Sequence, residues 1–116
     1  MFLKRAFLLA TELHRGAGWF GPDMRGVPIP ADYQVPKVLR RLGCIVYSDE
    51  LSGAVEKGVQ IPRGSAMECE IRSASILACD MIAEAADMDP CDVDSWLWNN
   101  RNNHEEPFHL TATTDY

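Results

Sequence analysis

The sequence lacks the features that define several common classes of protein. Its four cysteines include no C-x-x-C pair, so neither a zinc ribbon nor a disulfide framework is indicated, and we expect a reduced, cytoplasmic protein. No apolar run approaches the roughly 20 residues that cross a bilayer, so we predict no membrane-spanning helix. The P-loop, G-x-S-x-G, H-E-x-x-H and dinucleotide-binding motifs are also missing. The sequence therefore carries no generic catalytic signature.

Positive charge is scarce overall, but it is unevenly distributed. The 116-residue chain has a net charge of -6, yet residues 1–41 hold seven Lys or Arg against three Asp or Glu, and residues 42–116 hold four against fourteen. A basic first third could hold a phosphate or another anionic ligand, and a solvated basic face would explain it equally well. Because a long basic stripe and an interleaved aromatic platform are absent, we predict no direct binding to a polynucleotide.

Helical periodicity is abundant, and it predicts an all-α fold. A chain of this length with 47% apolar residues is expected to form a single domain over residues 1–116. Apolar spacing and cap signals predict five helices. The first four cover residues 2–13, about 35–42, 49–58 and about 66–86, and the first of them ends before Gly16 and Gly18. The last helix begins at Asp89-Pro90 and carries Val93, Trp96, Leu97 and Trp98. No strand alternation extends far enough to support a sheet.

The helix predicted to begin after Ser65 has the strongest start signal in the chain. Ser65-Ala-Met-Glu68 fits a capping box, in which the serine hydroxyl accepts the Glu68 N–H and the glutamate reaches back to the Ser65 N–H. Many small residues on its inward side would let a neighbouring helix approach closely. We therefore expect it to be the central helix, with the inward stripe Met67, Ile71, Ala74, Ala78, Ile82 and Ala85.

Four polar or aromatic residues are ambiguous on spacing alone. Asp32 stands just before a helix, where an acid that caps backbone N–H groups is a sufficient explanation, although a rigid, ionised catalytic carboxylate suits the same position. Lys4 reads as a solvated helix lysine. Arg72 lies four residues after Glu68, which predicts a weak intrahelical ion pair. Tyr33 could stack on a planar base.

The histidines and cysteines form no metal-binding pattern in the sequence. His14, His104 and His109 share no ligand spacing, and we assign them surface or hydrogen-bonding roles. Cys69 and Cys79 lie on the predicted central helix and are interpreted as small core residues. The sequence therefore predicts neither a metal site nor a cofactor.

Several short phrases, taken in order, resemble a known family. They are Lys4-Arg5-Ala6, Ala31-Asp32-Tyr33-Gln34-Val35-Pro36-Lys37-Val38-Leu39, Leu42-Gly43, Val46-Tyr47-Ser48, Glu70-Ile71-Arg72 with Ser75-Ile76, and Leu97-Trp98. With this order and spacing the chain resembles the C-terminal part of the queuosine salvage protein family, the queuosine 5′-phosphate N-glycosylase/hydrolases, over essentially its whole length. The resemblance implies an all-helical fold similar to helix-hairpin-helix DNA glycosylases.

The resemblance also implies an activity and a site. The family hydrolyses the N-glycosidic bond of queuosine 5′-monophosphate and releases queuine, which is salvaged into transfer RNA, with no metal or organic cofactor. The family's catalytic Asp and Lys fall on Asp32 and Lys4. Tyr33, next to the catalytic Asp, would line the substrate pocket, and Arg72 would be a further polar contact with the substrate.

Two departures from the family pattern bear on these expectations. The chain has Gln34 where the family commonly has Arg after the Asp-Tyr pair. Family members are also longer, and their N-terminal part contributes to the base pocket, so we expect a truncated, C-terminal portion of the fold. Its first helix would expose an apolar face that favours self-association. The alternative to an enzyme is a noncatalytic helical remnant that binds a nucleotide or acts as an interaction module.

Overall fold

The computed structural model describes residues 3–103 and 105–114, and this part of the chain is all-helical. It contains α1 (Lys4–Ala17), α2 (Val35–Arg41), α3 (Asp49–Glu56), α4 (Ala66–Ala86) and α5 (Pro90–Asn99), with 3-10 segments at Gly21–Gly26 and Arg101–Asn103. Within the described ranges, the only β-type pairing outside helices is an isolated parallel bridge between Gln60 and Leu110. The prediction of an all-α fold is confirmed.

The first helix is longer than the sequence predicts. The helix α1 continues past Leu13 and through Gly16, and it ends where Gly18 adopts φ +69° and donates its N–H to the His14 carbonyl. One glycine inside a last turn costs only about 1 kcal/mol, whereas the left-handed cap conformation selects glycine strongly. The predicted end before Gly16 is therefore wrong. The predicted start at Phe2 lies outside the described residues.

The starts of the middle helices are confirmed. Ser48 caps α3 by accepting the Leu51 N–H at 3.2 Å. Pro36 lies in the first turn of α2, and Gly43, just beyond its end, has φ +74°. Because the first amide groups of a helix have no carbonyl partner inside it, the sequence must supply a side-chain acceptor or a proline at these positions.

The capping box of α4 forms in a modified version. Ser65 Oγ accepts the Glu68 N–H at 3.3 Å, as predicted. The Glu68 carboxylate, however, accepts the N–H of Gly64 at 2.7 Å rather than that of Ser65. The reason is that the Ser65 N–H already donates to the Pro62 carbonyl. The helix covers Ala66–Ala86, in agreement with the prediction.

The core lies where α4 packs against α2 and α5. Its buried residues are Ile29, Val35, Val38, Leu39, Ile45, Ala78, Cys79, Ala83, Val93 and Leu97. A smaller apolar cluster of Leu51, Val55, Ile61 and Ile71 connects α3 to α4. The central position of α4 in this packing agrees with the sequence prediction.

The predicted inward positions are only partly buried. On α4, Ile71 and Ala78 are buried and Met67, Ala74 and Ile82 are half-buried, but Ala85 is exposed, whereas Ala83 in the same last turn is buried. On α5, Trp96 is 55% exposed although its neighbour Leu97 is buried. Among the described residues, no helix has both the length and the apolar character that a bilayer crossing requires.

Candidate active site

Asp32 and Lys4 line the same cavity, which lies between α1 and α5. The cavity has a volume of about 370 Å³. One wall comes from α1, the other from α5, and the stretch from Pro30 to Asp32 completes it. Its described lining residues are Lys4, Leu8, Thr11, Glu12, Arg15, Pro30, Asp32, Asp94, Ser95, Trp98 and Asn99. The fold thus brings together the two residues to which the resemblance assigns catalysis.

Asp32 caps α2 and faces the cavity at the same time. Its Oδ1 atom accepts the N–H groups of Gln34 and Val35, each at 2.8 Å, and only 5% of the residue is exposed. Burial raises the pKa of Asp32, while these two N–H groups and the charges of Lys4 and Arg101 oppose that rise. Asp32 is therefore both a helix cap and a cavity carboxyl, the two positions that the sequence left open.

Asp94 is a second buried carboxyl in this cavity, and sequence reasoning missed it. The residue is 8% exposed, and its Oδ1 atom is buried without a hydrogen-bond partner in the described part of the chain. Burial, reinforced by the negative charge of Asp32, raises the pKa of Asp94 to about 7. The sequence feature that could have indicated its burial is its position on α5, between the buried Val93 and Leu97, at the border of the apolar face.

The two carboxyls differ in what stabilises their charged forms. Backbone N–H groups solvate the Asp32 carboxylate, whereas burial without such donors disfavours ionisation of Asp94. Two carboxyls that share a site separate their protonation in this way. The cavity therefore pairs a carboxyl whose charged form accepts two N–H groups, Asp32, with a carboxyl that keeps part of its proton near pH 7, Asp94.

Cations surround this carboxyl pair. Lys4 is half-buried at the start of α1, and its charge acts on both Asp32 and Asp94. Arg15, one further cation in the cavity lining, donates to the Ser95 hydroxyl and so connects α1 to α5. These cations offer contacts to an anionic ligand, although three acids, Glu12, Asp32 and Asp94, line the same cavity.

Tyr33 and Arg72 lie outside the lining of this cavity. The Tyr33 ring packs against Phe108 with a centroid separation of 5.0 Å. Arg72 is 3% exposed, donates to Glu68 Oε1 at 3.1 Å, and donates from its other terminal nitrogen to the Ala31 carbonyl, also at 3.1 Å. The predicted i,i+4 ion pair exists, but it is buried rather than solvated, and it holds the backbone immediately before Asp32.

The fold and the cavity define an all-helical protein with a candidate acid-base site. A family model described as queuosine salvage protein matches residues 1–116, so the chain belongs to this family. The match covers every element that lines the cavity, including the stretch that carries Asp32.

Individual relatives agree with the family assignment. Proteins named queuosine 5′-phosphate N-glycosylase/hydrolase from Dictyostelium discoideum and Mus musculus are 32% and 31% identical to the chain, and each alignment covers 99% of it. A protein of the same name from Sphaerobacter thermophilus is 33% identical over 99% of the chain. The chain spans about 40% of the length of these curated relatives.

Proposed function

We propose that the chain is a hydrolase that cleaves the N-glycosidic bond of queuosine 5′-monophosphate and releases queuine for tRNA queuosine salvage. The observation that carries the proposal is that Asp32 and Lys4, distant in sequence, line one cavity. The names of the relatives support the reaction. In this proposal Asp32 is the catalytic carboxylate and Lys4 is its cationic partner.

The chemistry follows from the two carboxyls. As the bond between ribose C1′ and the base nitrogen breaks, its electron pair passes to the base, and protonated Asp94 donates a proton to that nitrogen. The ribose acquires oxocarbenium character. Ionised Asp32 acts on it in one of three ways: it stabilises the positive charge electrostatically, forms a covalent bond to C1′, or orients the attacking water. Water supplies a hydroxyl to C1′, and its remaining proton returns to Asp94. The step consumes one water and needs no metal or organic cofactor.

The cations contribute binding and orientation. Lys4 favours the ionised form of Asp32 and attracts the 5′-phosphate of the substrate. Tyr33 and Arg72 stay predictions as substrate-binding residues, and the contact of Arg72 with the Ala31 carbonyl also supports a role in positioning Asp32.

The proposal extends to the fold type and the setting. A lysine and an aspartate that share a cavity between helices support the similarity to helix-hairpin-helix DNA glycosylases that the resemblance implies. The net charge of -6 favours a mononucleotide over a polynucleotide as the ligand. We place the reaction in the cytoplasm, where free cysteines remain reduced.

The first experiment incubates the chain with queuosine 5′-monophosphate and measures free queuine. Asp32→Asn should lower release at least about 100-fold, because the amide oxygen still accepts the two N–H groups at the start of α2 but carries no charge. Asp92→Asn, at an exposed position on α5, is the matched control and should leave release unchanged. Release that survives in Asp32→Asn would remove this residue from the mechanism.

A noncatalytic nucleotide-binding or interaction module is the second candidate. The observation that favours it is that the chain spans only about 40% of the length of its curated relatives. Adding the remaining portion of the Sphaerobacter thermophilus relative distinguishes the two candidates. Queuine release only from the chimera with this added portion would support the module, and release from the chain alone would support the enzyme.

Exposed apolar residues on and after α1 support the predicted self-association. Leu9 is 60% exposed, Leu8 41% and Trp19 56%. We expect sedimentation velocity to show a concentration-dependent dimer or larger species that Leu9→Glu weakens. Leu77→Glu, at a position on α4 that is 61% exposed, serves as the matched control. A wild-type chain that stays monomeric at all concentrations would contradict this expectation.

A further inference from the structure

Three metal-binding side chains converge where α1 ends and α5 begins. The imidazole of His14, the carboxylate of Asp89 and the thiol of Cys91 place their ligand atoms within 4.8 Å of one another. None of the three lines the cavity that contains Asp32. No sequence motif indicates this cluster, because His14 is far from Asp89 and Cys91 along the chain and only the fold brings the three side chains together.

The tautomer of His14 suits metal binding. Its Nδ1 atom lies 2.7 Å from the carbonyl oxygen of Trp19. A carbonyl only accepts hydrogen bonds, so Nδ1 carries the hydrogen, and in the neutral imidazole the lone pair is on Nε2. Metal-ligating histidines are typically fixed by this kind of second hydrogen bond. The Nε2 atom is 3.8 Å from Asp89 Oδ2.

The Asp89 carboxylate divides its two oxygens between two partners. Its Oδ1 is 3.2 Å from Arg25 Nε, and Oδ2 is the oxygen that lies near His14. The side chains of His14 and Asp89 are 22% and 23% exposed, whereas Cys91 is buried. An ion would enter from the solvent side, find the thiol at the back of the cluster, and keep a water molecule as its fourth ligand.

We propose that His14, Asp89 and Cys91 bind a zinc ion. One nitrogen, one sulfur and one oxygen donor form a set that zinc accepts and that magnesium and calcium disfavour. Tetrahedral zinc with bonds of about 2.0–2.3 Å sets its ligands about 3.5 Å apart, so modest side-chain movement closes the site. The ion would join the end of α1 to the start of α5, the two helices that form the walls of the Asp32 cavity.

The site is tested by titrating the reduced full chain, in the absence of oxygen, with Co²⁺, which is a spectroscopic substitute for zinc. The background is Cys44→Ser, because Cys44 is an exposed thiol. We expect saturable binding of one Co²⁺ with a thiolate-to-metal charge-transfer band that zinc abolishes by displacement. Cys91→Ser and His14→Gln should each remove the band. Cys69→Ser, which changes a half-buried cysteine on α4, is the matched control and should retain it.

Absence of the band at excess Co²⁺, or a band that persists in Cys91→Ser, would overturn the assignment. Zinc should also raise the melting temperature of the Cys44→Ser chain, and this rise should disappear in His14→Gln, whose partly exposed position should leave the fold intact by circular dichroism. An equal rise in both proteins would contradict the site.

Arg25 provides a readout that a purely structural salt bridge would not give. Its guanidinium contacts Asp89 and repels a cation at the cluster. Arg25→Gln should therefore tighten zinc binding several-fold at low ionic strength, measured by competition with a chromophoric chelator. Unchanged or weaker affinity would place the ion away from Asp89 and overturn the proposal.

Discussion

Asp32 and Asp94 carry identical side chains into one cavity, and their surroundings make them different reagents. The first accepts two backbone N–H groups, and the second is buried with one oxygen that no described donor reaches. Burial raises the pKa of both carboxyls, and the N–H groups that donate to Asp32 oppose this rise, whereas only the charges of Lys4 and Arg15 oppose it at Asp94. In the proposed reaction, this contrast assigns the role of charged carboxylate to Asp32 and the role of proton donor to Asp94.

Substitution of Asp94 tests its role as the acid. Because its pKa is about 7, queuine release by the wild-type chain should decline as the pH rises through that value. Asp94→Asn should lower release about 100-fold or more and flatten this decline. If queuine release by Asp94→Asn still declined with the same midpoint pH as in the wild-type chain, another group would donate the proton. Asp92→Asn is again the control.

The buried Arg72–Glu68 pair makes a second prediction at the level of single residues. Both side chains are less than 5% exposed, so removing the arginine takes the opposite charge away from a buried Glu68 carboxylate. Arg72→Met should lower the free energy of unfolding by about 3–5 kcal/mol, measured by urea denaturation. The double variant with Glu68→Gln should lose less than the sum of the two single variants.

The exposed pair Arg40–Glu56 is the comparison for this measurement, because its glutamate side chain is 58% exposed. Glu56→Gln should change stability very little. A loss in Arg72→Met as small as that in Glu56→Gln would show that the Arg72–Glu68 pair is solvated, as the i,i+4 spacing alone predicts.

Among the helices, α4 depends on Ser65 for its start. Ser65→Ala removes the acceptor for the Glu68 N–H and should lower the free energy of unfolding by about 1 kcal/mol. Ser73→Ala, at an exposed position inside the same helix, should be neutral or slightly stabilising because alanine favours helix. Equal effects of the two substitutions in thermal denaturation would contradict the cap.

The elements also show what a sequence can and cannot predict. Local signals, such as the caps Ser48 and Ser65 and the apolar periods, gave the number and order of the helices because they act within a few residues. The bridge between Gln60 and Leu110 depends on chain segments far apart in sequence, and no local pattern encodes it.

Some residues of the candidate site could be predicted from the sequence, and others could not. Asp32 and Lys4 came from the family resemblance, and their shared cavity required the packing of α1. Asp94 had no motif, since an acid beside an apolar stripe is common on solvated helices. The spacing of Glu68 and Arg72 predicted their contact but not its burial, because i,i+4 pairs have the same spacing on either face of a helix.

Two buried groups give the stability of the folded chain opposite pH dependences. The pKa of Asp94 is raised from 3.8 to about 7, so its contribution to folding stability falls as the pH rises from about 4 to 7. Burial lowers the pKa of His109 from 6.5 to about 4, so its contribution is complete above 6.5 and is lost as the pH falls toward 4. Between pH 4 and 6.5 the two trends offset each other.

Single variants should separate these trends. Over that range, the free energy of unfolding should rise with pH in Asp94→Asn and fall with pH in His109→Gln, relative to a flatter wild-type profile. The limiting slope for one group is about 1.4 kcal/mol per pH unit. Urea denaturation at half-unit intervals measures all three profiles, and parallel profiles would contradict the burial of both groups.

The cap that Asp32 provides to α2 has a consequence for how such chains diverge. A lineage that abandons catalysis still needs an acceptor at position 32 to start this helix, so aspartate or asparagine there is retained for folding alone. Asp94 has no comparable structural duty, since its buried oxygen bonds to no described group. Under the proposed mechanism, loss of the carboxyl at position 94 among descendants of this chain would therefore mark loss of activity earlier than any change at position 32.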